Sequence, residues 1–423
     1  MESALAAILA GGRGKRMGIL CQNRAKPSLS FAGKNCVIDY TLSNCIHSKI
    51  NDIIILTDYL RSDMADYLND WVEMNGNSKK MHIIEPGNGS YLGTADAVYQ
   101  NIEYLERNND DLVIVLAGDH VYEMDYQKML DFHRQTGADI TVGIVSVPIE
   151  QAYRFGIVTI DSNKRIVNFI EKPEFPESNL VSMGIYVFNK HILIERLVED
   201  ALTPHSPHDF GHAIIPRMIR TDNVAGYEFE GYWRDIGTTE AYYTSNMEVL
   251  GPGPLFNANN DWPVLTRFDH LASPVISRQG NVHNSVISPG CVIKGRIENS
   301  ILSPNVYVEE EAEVRNSLIM SDCYIGYHSV VDHCILDVDV NVDKFCYLGF
   351  EGGSVADSWK VTILGEGVTV PSHTAICRNC KVLPFVGPDD FSGKVVPSNT
   401  ILSQKQMSRP LQKYERGVLS HVS

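Results

Sequence analysis

Between Ala4 and Pro27 an apolar run empties into Gly11-Gly12-Arg13-Gly14-Lys15-Arg16 and, past a polar connector, into Arg24-Ala25-Lys26-Pro27. Glycines there allow a backbone with φ > 0 that turns successive N–H groups toward an anion, while Arg13, Arg16 and Lys26 supply compensating charge. That is chemistry for a polyphosphate. A dinucleotide loop would read G-x-G-x-x-G and open straight into a helix, whereas Gly12-x-Gly14-x-x-x-Gly18 leads into the connector that carries Lys26. A tight turn without a ligand is the plain alternative.

Three further constellations could act on the same anion. Asp119 follows the hydrophobic run Val113 to Ala117 and a glycine, which suits a Mg²⁺ ligand, or a turn or helix cap. Asp235, in Tyr232-Trp233-Arg234-Asp235-Ile236-Gly237-Thr238, is its candidate partner, or the cap of a helix beginning near Thr239. In Phe169-Ile170-Glu171-Lys172-Pro173, adjacent charges on an extended strand point to opposite sides, so the lysine could meet a phosphate and the carboxylate sugar hydroxyls. A solvent-facing ion pair is the alternative. The histidines of His205-Ser206-Pro207-His208-Asp209-Phe210-Gly211-His212 flank a proline and a helix start, where Ser and Asp serve as caps more readily than as part of a metal site.

To hold such residues the chain needs a sheet. Up to about Leu250, buried strands (Asp52 to Thr57, Leu112 to Ala117) alternate with helical periodicity (Thr94 to Glu106, Tyr126 to Gln135), which predicts a Rossmann-like α/β domain with a mainly parallel sheet. Ligands in such sheets sit at the carboxyl ends of strands. Gly251-Pro252-Gly253-Pro254 opens a linker over 251–274, after which helical periodicity disappears. Ser285, Ser300, Ser317 and Cys334 then head similar short apolar pairs at steps of 15, 17 and 17, the cadence of a left-handed parallel β-helix over 275–402. The cadence breaks at Gly349 to Trp359 and resumes near Val361, and 403–423 reads as a polar tail.

Composition narrows the classes. A chain of 423 residues with 44% hydrophobic content can bury the cores of two domains. Its net charge of -16 argues against nucleic acid, no apolar run approaches the roughly 20 residues of a membrane span, and the expected location is the cytoplasm. Nine scattered cysteines fit a reducing compartment, and Cys377-x-x-Cys380 lacks a second pair or a histidine to complete a zinc site.

Together with Leu42-Ser43-Asn44-Cys45-Ile46, Gly93-Thr94-Ala95-Asp96-Ala97-Val98 and Ser182-Met183-Gly184-Ile185-Tyr186, these motifs stand in an order that resembles the bacterial ADP-glucose pyrophosphorylases along nearly the whole chain. The resemblance implies transfer of the adenylyl group of ATP to glucose 1-phosphate with Mg²⁺, for glycogen or α-glucan synthesis. It also implies a homotetramer, or a tetramer with a related subunit, built partly through the β-helix. It assigns Leu9, Ala10, Gly11, Gly12, Gly14 and Gly93 to the nucleotide, with Arg13, Arg16, Lys26 and Asp119 at the reacting phosphates. Asp119 and Asp235 would hold the metal, and Tyr91, Gly156, Glu171, Lys172 and Ser182 the glucose 1-phosphate.

Departures from the family pattern carry expectations of their own. Lys15 stands where the family has Thr, and the segment Ile83 to Ser90 lacks the paired glutamines that many relatives place near the base. Lys34 matches a lysine used for sugar-phosphate activators, but Cys36 replaces the usual arginine of Arg-Ile-Ile-Asp, so allosteric control is expected to be weak or altered. Three rivals stand beside the leading reading: another sugar-1-phosphate nucleotidyltransferase using dTTP, UTP or CTP; a regulatory subunit of weak activity; and an acyltransferase with His283, His328 or His333 as base.

Overall fold

Apolar runs in the first 250 residues assemble into one nine-stranded sheet in the computed structural model, which describes residues 4–12, 14–58, 61–75, 81–87, 89–251, 262–268, 270–350 and 361–405. Arg13, most of the Gly349–Trp359 segment, linker residues 252–261 and 269, and tail residues 406–423 lie outside the described residues. The strands of this domain are β1 (Ala4–Leu9), β2 (Ser30–Phe31), β3 (Asn35–Cys36), β4 (Asp52–Leu56), β5 (Met81–Ile84), β6 (Leu112–Ala117) and β7 (His120–Tyr122). They continue with β8 (Ile140–Ser146), β9 (Gly156–Ile160), β10 (Ile166–Glu171), β11 (Leu180–Asn189), β12 (Val224–Glu228) and β13 (Trp233–Asp235).

The sheet order is β10-β9-β11-β6-β1-β4-β5, with β8 on β11 and β12 on β8. β6-β1-β4-β5 run parallel, as do β8 and β12, while the long β11 is antiparallel to β6, β8 and β9. β1 lies centrally, paired on both sides, and its small Ala4, Ala6 and Ala7 are buried under helices on both faces. The short hairpin β2-β3 and the two-stranded antiparallel pair β7-β13 stand apart from the sheet.

The helix expected over Thr94 to Glu106 is two, Thr94–Tyr99 and Ile102–Arg107. Asn101 causes the break: its side-chain amide donates to the carbonyl of Ala97 at 2.8 Å, a bond that competes with the helical ladder. The second predicted helix is Tyr126–Thr136, capped by Asp125 on the amide of Gln127 and ended by Gly137 in the left-handed region. Among the described residues no helix is long and apolar enough to cross a membrane.

From Val275 on, short strands stack into three parallel sheets of six, seven and seven strands, a parallel β-helix. Its repeat is held in register by side chains as well as backbone. Ser285 Oγ accepts from the amide of Ser300, Ser300 Oγ from Ser317 and Ser317 Oγ from Cys334, each at 3.1 Å. Asparagines at the preceding positions sit at positive φ and pair between coils, as in Asn284 to Asn299 at 2.8 Å. Beyond the Gly349–Trp359 segment the stack resumes in phase, Ile335 pairing with Ile363.

The two domains share a core. Met17, Ile19, Leu20 and Cys21, from the turn of helix after the glycine loop, pack with Tyr242 of the helix Thr239–Glu248 and with Ile301, Leu318, Ile335 and Ile363 of the β-helix. Arg24 crosses the boundary to Asp337 at 2.7 Å and Glu366 at 3.4 Å, so the segment that leads to Lys26 is pinned to the second domain.

Candidate active site

The carboxyl ends of β1, β4 and β6 open on one side of the sheet, and the glycine loop crosses above them. Ala10 donates its amide to Leu56 at 2.9 Å, which ties the start of the loop to β4. At Gly11 a Cβ would stand 2.9 Å from that of Asp58, so only glycine lets the loop lie this close to the end of β4. Gly14, with φ 56°, has no room either: a Cβ there would meet the Cys21 sulfur at 2.8 Å and the Lys26 Cβ at 3.3 Å. Lys26 itself begins a short 3₁₀ turn with Pro27, which directs its side chain inward.

Lys26 Nζ donates to Asp119 Oδ2 at 3.0 Å and to Asp235 Oδ1 at 3.2 Å. Asp119 stands in the turn between β6 and β7, and Asp235 ends β13, which pairs antiparallel with β7, so this long-range pairing brings together carboxylates 116 residues apart in sequence. The other oxygen of Asp235, Oδ2, accepts from Arg154 at 2.9 Å. His120 is fixed by its Nδ1 contact with the Met183 carbonyl at 3.1 Å, and its Nε2 lies 3.6 Å from Asp119 Oδ1. Burial pulls the Lys26 ammonium toward neutrality, but Asp119 and Asp235 outweigh it and its pKa is raised. Burial likewise opposes the charge of Asp235, yet Lys26, His120 and Arg154 together hold its carboxyl well below the usual range, and Asp119 is also lowered.

Two cavities meet at Asp119. The first, about 330 Å³, is lined by Leu9, Gly11, Gly12, Tyr91, Gly93 and Thr94, among others. The second, about 260 Å³, is lined by Arg16, Gly156, Glu171, Lys172, Ser182 and Asp235, among others. Leu9, Thr94, Ala117, Asp119 and Asp209 border both. Most sequence-predicted residues are thus gathered around one junction. Tyr91 lines the first cavity rather than the one that holds Glu171 and Ser182; Ala10, Gly14 and Lys26 line neither, the buried Lys26 meeting the junction through Asp119; Arg13 lies outside the described residues.

The second cavity is floored by a carboxylate wedged between glycines. A Cβ on Gly156 would stand 2.7 Å, and one on Gly211 2.6 Å, from Glu171 Oε2. Glu171 and Lys172 do not point to opposite sides as an extended strand would place them. Lys172 lies just beyond β10 at φ 47° and turns back to donate to Glu171 Oε1 at 2.5 Å. The lysine is 51% exposed and the glutamate 14%, so the pair presents an ammonium over a sheltered acceptor.

Several other expectations resolve. Asp235 does not cap the helix Thr239–Glu248; Thr238 does, accepting from the amide of Ala241. Asp209 caps Phe210–Ile214, and His208 pairs with Asp200 at 2.8 Å; among the described residues no group of three or more His, Cys, Asp or Glu gathers in a metal-binding arrangement, at the histidines or at Cys377 and Cys380. In the β-helix, His328 stacks on Phe345 with centroids 5.5 Å apart, and His333 is held by Asp332 at 2.8 Å, both as corner residues at positive φ. Lys34 lies outside both cavities, in the β2-β3 turn whose neighbouring Gly33 faces Ser288 of the β-helix.

The donor set at the junction fits a hard divalent cation. Two carboxylate oxygens from different elements already converge on one positive charge, and Mg²⁺ commonly takes only one or two protein carboxylates, with phosphate and water completing its shell. Asp119 Oδ2 and Asp235 Oδ1 would hold it.

Reading the sequence for strand ends could have found Asp58, which follows β4 and lines the first cavity, as Asp119 follows β6. Arg154 gave no comparable signal. It lies in a short loop before β9, and only the fold shows that it faces Asp235.

The comparisons agree with this geometry. A family model described as Nucleotidyl transferase matches residues 5–251, and one described as GlmU-like, C-terminal hexapeptide matches 271–371. The chain is 38% identical to a glucose-1-phosphate adenylyltransferase of Acetivibrio thermocellus, over 96% of this chain and 98% of that one. It is 39% identical to those of Thermomicrobium roseum (94% and 97% covered) and Pseudothermotoga lettingae (96% and 100%).

Proposed function

Because the chain belongs to the glucose-1-phosphate adenylyltransferase family, we propose that its two adjoining cavities take ATP and glucose 1-phosphate and that the phosphates meet at Asp119. The enzyme transfers the adenylyl group of ATP to glucose 1-phosphate, giving ADP-glucose and pyrophosphate. An oxygen of the sugar phosphate attacks the α-phosphorus in line, and the bond to the β-phosphate breaks as pyrophosphate leaves with its electron pair. The nucleophile is already an anion, so positioning and charge neutralisation carry the rate rather than a general base.

The single observation behind this arrangement is the sharing of Leu9, Thr94, Ala117, Asp119 and Asp209 by the two cavities, which puts bound ligands within reach of each other. In this reading the glycine-loop amides, Arg13 and Arg16 neutralise the triphosphate, Arg16 from the side of the second cavity, while Tyr91 and Gly93 wall the nucleoside. Glu171 accepts from sugar hydroxyls, Lys172 meets the sugar phosphate, and Gly156 and Ser182 shape the space between. Lys26 lies nearest the reacting phosphates. Mg²⁺, held by Asp119 and Asp235, would supply charge neutralisation at the transferring phosphoryl group. We further propose a cytoplasmic tetramer assembled partly through the β-helix, with only weak control by sugar phosphates at Lys34.

The test is pyrophosphate release by the purified full-length protein with glucose 1-phosphate, Mg²⁺ and ATP, dTTP, UTP, CTP or GTP in parallel. ATP is expected to be preferred, with little change on adding fructose 1,6-bisphosphate. Preference for another nucleotide would move the assignment of the first cavity, and no release with any of them would sink the catalytic reading of this chain.

A further inference from the structure

The oxygens assigned to the metal are already engaged. Lys26 Nζ lies between Asp119 Oδ2 and Asp235 Oδ1, at 3.0 and 3.2 Å, which is where a cation bridging the two carboxylates would stand. Arg154 occupies the remaining oxygen of Asp235 at 2.9 Å, on the side away from Asp119. Two negative charges are therefore matched by two positive ones, with His120 beside them. A divalent cation cannot simply be added to so sheltered a set, because Lys26 would be left within van der Waals reach of a like charge in a medium of low dielectric. One of the resident cations has to move.

Which one moves follows from their settings. Lys26 touches both carboxylates, so it blocks the bridging position, and one of them, Asp119, lines both cavities, so a short swing of its flexible stem would bring the ammonium to the junction. Arg154 touches only the outer oxygen of Asp235, and its planar fork fixes that carboxylate with Oδ1 turned toward Asp119. We propose that Lys26 is a placeholder for the divalent cation, displaced from Asp119 and Asp235 when the metal binds and thereby freed to reach the phosphates, while Arg154 stays as the positioning residue of Asp235. The proposal rests on Asp119 and Asp235 being the metal ligands.

The test is Mn²⁺ binding to the nucleotide-free full-length protein, followed by loss of the free-ion electron paramagnetic resonance signal. Lys26→Met is expected to bind Mn²⁺ about tenfold more tightly than the wild type, because a competing charge is gone. Arg154→Met is expected to tighten binding less, and Asp119→Asn to weaken it. Lys26→Gln, which keeps the length and polarity of the side chain, repeats the measurement should Lys26→Met fold poorly. Equal or weaker binding by folded Lys26 variants, alongside weakened binding by Asp119→Asn, would overturn the displacement and leave the metal ligands standing. Wild-type affinity in Asp119→Asn would overturn the ligand assignment and the proposal with it.

Discussion

Two residues apart on the chain, Arg24 and Lys26 each sit in a buried ion cluster, and the two clusters are built on different ratios of cation to carboxylate. Lys26 shares Asp119 and Asp235 with a second cation, Arg154, and with His120 close by. Arg24 alone answers both Asp337 and Glu366. The carboxylates respond in opposite directions. Asp235 is held well below the usual range because Lys26 and Arg154, with His120 close by, outweigh its burial. Asp337, 2% exposed, is pushed up to about 6, because its burial outweighs the single arginine. Matched charge beside open space leaves carboxylates ionised where a ligand can reach them; a deficit of positive charge inside a domain boundary makes a joint.

Asparagine substitutions in the two clusters give the widest separation. Asp119→Asn is expected to keep the fold and lower turnover by roughly two to four orders of magnitude, whereas Asp337→Asn should leave turnover near wild type. Similar losses from both, in pyrophosphate-release assays, would erase the distinction between site and joint.

Next in size is the joint itself. Arg24→Ala leaves Asp337 buried without its cation and is expected to cost about 3–5 kcal/mol in denaturant unfolding, part of which the double variant Arg24→Ala/Asp337→Asn recovers. An unchanged midpoint for the single variant would mean that the apolar interface alone holds the domains.

The smallest effect is in the pH dependence of stability. A carboxyl whose folded pKa is raised, as in Asp337, binds its proton more tightly folded than unfolded, so its favourable contribution is full below about pH 4 and is lost as pH rises through about 6. Asp235 has the opposite sign, its contribution being present above about pH 4 and lost only as pH falls further. Between pH 4 and 6 the Asp337 term stands out: Asp337→Asn should remove a gain on acidification of about 1–3 kcal/mol. An identical pH profile in the variant would show that the carboxyl titrates normally.

Much of this was legible in the chain because the determinants are local. The glycine loop and the strand-end carboxylates announce themselves by spacing, and the steps between Ser285, Ser300, Ser317 and Cys334 are the rungs on which these side chains bond. What escaped depends on contacts between distant segments. The turn of Lys172 back onto Glu171 is a single positive φ that no pattern announces, and the sequence does not show that Asn101 would spend its amide on Ala97. The pairing of Arg154 with Asp235 spans 81 residues and requires the long-range β7-β13 pair to exist first.

The stacking of the β-helix also sets a rule for how this chain can change in length. Asp337 and Glu366 reach Arg24 from successive coils on one of three faces. A whole rung gained or lost would carry the following side chains a third of a turn around the axis and aim the clamp at solvent. Extra length between strands, as between Ile335 and its partner Ile363 twenty-eight residues on, leaves the faces in phase. The solenoid thus works as a spatial reading frame, in which whole coils and loops between strands are silent edits and partial coils are frameshifts felt as far away as the glycine loop.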